Sequence, residues 1–161
     1  MQRFVLIYAG VIGALFSVGV VLTNVVFPTP NESDDEYGAW YLVLYLALFA
    51  LFGIGGLIAS RRAQPARTGA IGGAVSGLII VGMILLTFVV VDNVFLDIVS
   101  QQIDKINAFH NQTTYTNMRD FINSGLLAGL AFGLIVSGTI GGMLGAVGGL
   151  ARYRLARAVA G

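Results

Sequence analysis

Residues 125–149 read GLLAGLAFGLIVSGTIGGMLGAVGG, and Gly125, Gly129, Gly133, Ser137, Gly141, Gly145 and Gly149 stand at every fourth position. A helix in water does not carry such a run, because each glycine costs up to ~1 kcal/mol of helix propensity relative to alanine. In a bilayer the same small side chains let neighbouring backbones approach and pack. The pattern therefore predicts a transmembrane helix with a smooth face, used for helix packing inside the chain or as an oligomer interface. A period of four on a helix of 3.6 residues per turn advances the face by about 40° per step. The face should wind, meeting several neighbours in succession, or one neighbour within the bundle and another in a second subunit.

Composition agrees with that solvent. The chain is 57% hydrophobic and 11% charged over 161 residues, which places it among integral membrane proteins with a single domain, residues 1–161. It has no cysteine, so disulfides, thiolate chemistry and cysteine-ligated metals are excluded.

Working outward, the glycine-rich stretch belongs to a span at about 121–150, and three earlier apolar runs give spans at 4–27, 39–60 and 69–91. The first ends in Leu22, Thr23, Asn24, Val25, Val26 and Phe27, without the small-x-small site of a cleaved signal, and reads as a retained span stopped by Pro28 and Pro30. A loop at 28–38 carries Glu32, Asp34, Asp35 and Glu36, then meets the interfacial aromatics Tyr37, Trp40 and Tyr41. The turn at 61–68 is so short that spans two and three are expected to be antiparallel neighbours. After span three, Phe95, Val99, Ile103, Ile106 and His110 recur at spacings of three and four within the loop 92–120. No proline or glycine lies between Gly82 and Ala108, so the third helix is expected to run on, or bend onto the bilayer surface, as an amphipathic extension.

Charge sets the orientation. All eight acidic residues fall in the loops after spans one and three, whereas Arg3, Arg61, Arg62, Arg67, Arg152, Arg154 and Arg157 lie at the opposite ends of the spans. Basic residues are retained in the cytoplasm, which predicts an all-α, four-span, antiparallel up-down bundle with both termini cytoplasmic and the turn 61–68 inside. Aligning Gly10 with Gly73 also superposes Leu15 on Leu78 and Leu22 on Leu85, and Gly55-Gly56-Leu57 matches Gly148-Gly149-Leu150. Either a 2+2 parallel duplication or chance in a biased alphabet accounts for those matches. Small residues gather in the cytoplasmic halves of all four spans (Ala9, Gly13 and Ser17; Gly53, Gly56 and Ser60; Gly69, Gly73 and Gly77; Gly141, Gly145 and Gly149). The helices should therefore touch most closely there.

Candidate chemistry is sparse. The acidic loop reads as solvated ahead of a divalent-cation site, and His110 has no companion ligand. Asn31-Glu32-Ser33 and Asn111-Gln112-Thr113 match the glycosylation acceptor pattern. Arg61, Arg62, Arg67, Arg152, Arg154 and Arg157 read as the topology signal and as contacts for anionic lipid. No buried charge is expected: the spans carry no ionisable residue, Asp92 stands at the outer boundary, and Ser17, Ser76, Thr87, Ser137 and Thr139 can bond to carbonyls of their own helices. Phosphate-loop, dinucleotide and nucleophile-elbow motifs are absent from the sequence. The expectation is a non-enzymatic structural or accessory membrane protein without cofactor, metal or nucleic-acid partner, associating with itself or a larger membrane complex in the lipid bilayer through glycine-lined faces. The alternative is an oligomeric pore or carrier for a neutral or apolar solute, with Ser76, Thr87, Ser137 and Thr139 along its path.

Overall fold

A computed structural model describes residues 2–28, 38–61 and 64–159 and is helical throughout, with no strand among the described residues. Helix α1 spans Gln2–Val21 and continues into a π-helical turn, Leu22–Val26; α2 is Gly38–Ala59, α3 Pro65–Val94, α4 Leu96–Val99, α5 Ile103–His110 and α6 Met118–Ala158. Four of these helices are long and apolar enough to cross a membrane.

Local chemistry sets the boundaries. Pro65 occupies the first turn of α3, where its fixed φ suits the helix and its missing N–H has no bond to lose, so the helix starts within the expected turn. That turn is tied by Thr68, whose hydroxyl accepts from the Arg61 N–H at 2.9 Å and donates to the Gln64 carbonyl at 2.7 Å. Asn117 caps α6, accepting from the Asp120 N–H at 2.9 Å while its amide donates to the Asp120 carboxylate at 2.6 Å. With no breaker downstream α6 runs for 41 residues, about 60 Å at ~1.5 Å per residue, twice the ~30 Å of a hydrocarbon layer.

The hub of the packing is α3, not the glycine-rich α6 from which the sequence is best read. Helices α1, α2 and α6 all pack extensively on α3, while α1 makes little contact with α2. Phe52 and Ile80 are fully buried with Ala9 and Leu48, and Ile12, Phe16, Phe49, Ile79, Val81 and Ile84 pack around them. One polar tie joins α1 to α2, the Tyr8 hydroxyl donating to the Leu51 carbonyl at 2.9 Å. The starts of α1 and α3 meet the ends of α2 and α6 at one end of the molecule, the arginine end. The opposite, loop end carries α4 and α5.

The extension after span three departs from expectation. Helix α3 stops at Phe95, where the backbone leaves the helical region (φ −112°, ψ 37°), and Gln102 is extended between α4 and α5. The chain turns back because side chains 100 or so residues into the sequence reach the ends of α1 and α3: Gln102 donates to Asn24 at 3.1 Å and Lys105 to Asp92 at 3.1 Å. Val99 is fully buried beneath this cap, while Ile103 and His110, expected on the same face, are exposed.

Candidate functional site: a glycine seam and a polar cap

Along the seam, residue numbers rise on α3 as they fall on α6. Gly69 lies against Gly145 and Gly149, Gly73 against Gly141 and Gly145, and Gly77 against Ser137. Gly145 sits where three helices converge, since Gly56 of α2 also packs on it. A methyl group at Gly145 would collide with the Gly69 carbonyl oxygen and come within 2.7 Å of the Gly73 Cα, and backbone atoms cannot swing aside. Gly148, one position before the stripe's last member, faces α2, where a Cβ would stand 2.5 Å from the Gly53 carbonyl oxygen.

Toward the loop end the stripe turns away from α3. At Gly133 the neighbour is no longer backbone but the tip of Leu85, 3.0 Å from where a Cβ would lie, and a Cβ at Gly129 or Gly125 would meet nothing within 4 Å among the described residues. Gly125, Ala128, Gly129 and Phe132 form one exposed face, with Phe132 71% accessible. The ~40° advance per step accounts for this, since four steps from Gly141 to Gly125 turn the stripe through about 160°.

The loop end holds the charge that sequence reasoning placed at a boundary and did not expect to be buried. Asp92 is 3% exposed, and its Oδ2 pairs with Lys105 Nζ at 3.1 Å; its Oδ1 is buried without a hydrogen-bond partner among the described residues. Next to it Asn93 and Asn123 exchange amide hydrogen bonds, Asn93 donating at 2.8 Å and Asn123 at 3.2 Å. Asn24 donates to its own helix at Val20, 2.9 Å, and accepts from Gln102. The available signal was a carboxamide or carboxylate near the loop end of spans one, three and four, but the partners stand 13, 30 and 78 positions apart. Nothing local announces such pairs. Phe109 and Tyr115 close the cap on Phe121, with ring centroids 5.7 and 6.0 Å away.

The remaining residues scatter. Thr87, Ser137 and Thr139 bond to carbonyls of their own helices at 2.8, 3.2 and 2.8 Å. Ser17 and Ser76 do not: both hydroxyls are buried without a partner among the described residues, contrary to the expectation that each would bond along its own helix. Arg152 donates to the last carbonyls of α2, Leu57 at 2.9 Å and Ile58 at 3.4 Å, capping that helix with positive charge. Arg157 stands over the Tyr153 ring, 5.3 Å from its centroid. Arg67 lies 3.5 Å from the Gln64 side chain, and Arg61 and Arg154 are exposed. His110 is exposed beside Phe109, and no group of three or more metal-ligating side chains occurs among the described residues. The acidic loop with Glu32, Asp34, Asp35 and Glu36, the acceptor Asn31, and Arg62 lie outside the described residues.

Among the described residues the charged pair and the amide pairs clasp helix ends. What fold and site define is an all-helical protein with four potential membrane spans, joined by a glycine seam at one end and a polar cap at the other. No family model, curated protein or solved structure matches the chain.

Proposed function

We propose that the chain is an integral membrane protein, four spans in an antiparallel up-down bundle with both termini cytoplasmic, acting as a non-enzymatic structural or accessory subunit. The surface supports insertion: Phe4, Leu15, Trp40, Leu86, Leu127, Phe132 and Ile135 are each at least 60% accessible, an apolar exterior far beyond what water tolerates. The observation that carries the accessory role is the division of the glycine stripe. Its arginine-end half is consumed by packing within the chain, and its loop-end half, Gly125 and Gly129 beside Phe132, is left open by the described residues. An open small-residue face with an adjacent aromatic knob suits close packing on another helix, in a second copy or in a larger membrane complex.

The test is the mass of the protein in nanodiscs, wild type beside Gly129→Leu. The expected result is a defined assembly for wild type and a folded single chain for the variant. A wild-type monomer that co-purifies with no other protein would overturn the role.

The alternative, an oligomeric pore or carrier for a neutral or apolar solute, gains less support. Ser76 lies against Gly55 of α2, Ser137 against Gly77 of α3, and Thr139 faces outward, so these three hydroxyls do not share one path through a single chain. Solute flux that disappears in Ser137→Val/Thr139→Val would restore that reading.

A further inference from the structure

At the arginine end α1 stands away from α2 and leaves a cavity of about 420 Å³, the size of a small-ligand site. Its walls are Val5 and Leu6 of α1, Ala59 at the end of α2, and Ile71, Gly72 and Val75 of α3. Behind it the bundle is shut, because Gly72 packs directly on Ala59. Arg61 and Thr68 also line it. Thr68 is committed to the turn through its two hydrogen bonds, whereas the Arg61 guanidinium is exposed and has no partner among the described residues. Arg152 and Arg157, by contrast, are engaged on the α2 carbonyls and on Tyr153.

We propose that this groove holds one anionic phospholipid, an acyl chain lying against Leu6, Ile71 and Val75 and the phosphate paired with Arg61. The proposal rests on the membrane reading above. Two features select this occupant. The groove is apolar along its walls and cationic where Arg61 stands, which matches a molecule with an apolar chain and a negative head. The field is also of one sign: Arg3 precedes Val5 and Leu6 by less than a turn, Arg67 opens α3, and the described acidic residues, Asp92, Asp97, Asp104 and Asp120, lie toward the other end. A zwitterionic headgroup gains little from such a field, whereas an anionic one gains at each nearby arginine.

The experiment is native mass spectrometry of the full chain released from nanodiscs of equal phosphatidylcholine and phosphatidylglycerol, counting the lipids it retains. Wild type is expected to keep one phosphatidylglycerol in preference to phosphatidylcholine. Arg61→Gln should lose about fivefold of that preference, the worth of one arginine at an anionic surface. Arg119→Gln, exposed near the start of α6 at the loop end, should keep it. Leu6→Trp, on the exposed rim of α1, should reduce retention of either lipid without depending on α3 packing. Equal retention of the two lipids by wild type, a preference that survives Arg61→Gln, or one that falls equally with Arg119→Gln would overturn the assignment. A chain that stays soluble without detergent and does not enter nanodiscs would instead overturn the membrane reading itself.

Discussion

Gly145 lies between two helices: a Cβ on it would meet only backbone atoms of α3, and a Cβ on Gly56 of α2 would in turn meet the Gly145 backbone. Side-chain neighbours can rotate; a carbonyl oxygen can move only with its helix. Gly145→Leu should therefore prevent α6 from seating, at a cost beyond the ~1–3 kcal/mol typical of overpacking in a deformable core. Gly129→Ala is the matching contrast. Among the described residues nothing lies within 4 Å of a Cβ at Gly129, so the added methyl should leave folding intact and gain up to ~1 kcal/mol of helix propensity. Thermal unfolding in one detergent, with the three proteins side by side, should rank Gly145→Leu far below wild type and Gly129→Ala at or above it. Loss of both variants alike would mean that the whole stripe is internal packing.

At the scale of elements, the cap formed by α4 and α5 is held to the helices beneath it by few side chains, and Asp92 with Lys105 is the charged pair among them. Removing one partner of a buried ion pair leaves the other charged and unsolvated, which costs about 3–5 kcal/mol; with Lys105 26% exposed, the low end of that range applies. Lys105→Met should loosen the cap, seen as faster amide hydrogen exchange over residues 96–110 with the seam unchanged. Adding Asp92→Asn should restore much of the protection, since the unpaired charge is then gone. Protection that does not change in either variant would show that Val99 and the Phe109–Phe121 contact hold the cap without the ion pair.

These elements also show how far sequence reading reaches. The four long helices follow from runs of apolar residues, and the turning of the small-residue stripe follows from its period, because both are properties of one helix taken alone. Helix α6 begins a few residues before the expected span because Asn117 and Asp120 form a cap, a signal present in the sequence and outweighed there by hydropathy. The break at Phe95 had no proline or glycine to mark it. Its cause is the closure of Gln102 on Asn24 and Lys105 on Asp92, contacts between distant residues that only the assembled helices bring together. The burial of Asp92 was missed for the same reason. The central place of α3 was equally hidden, since its glycines are less conspicuous than those of α6 yet meet both α2 and α6, while α1 packs on Ile80 and Met83.

For the whole molecule, the two ends differ in both charge and construction. The arginine end joins backbone to backbone through glycine and leaves a groove beside α1; the loop end joins through amides, the Asp92–Lys105 pair and packed rings. On the proposed membrane reading, a bilayer covers the apolar sides of the helices while both ends are wetted, and the arginines would select the cytoplasmic face. The chain has no cysteine of its own, so single cysteines introduced at exposed positions report their location without background. The most direct measurement is labelling of Asn107→Cys and Ala156→Cys in intact cells with a maleimide that cannot cross membranes, repeated after the cells are opened. The account predicts that Asn107→Cys reacts in intact cells and Ala156→Cys only once they are opened. Reaction of Ala156→Cys from outside, or of neither position until the cells are opened, would contradict a four-span protein with its arginine end in the cytoplasm.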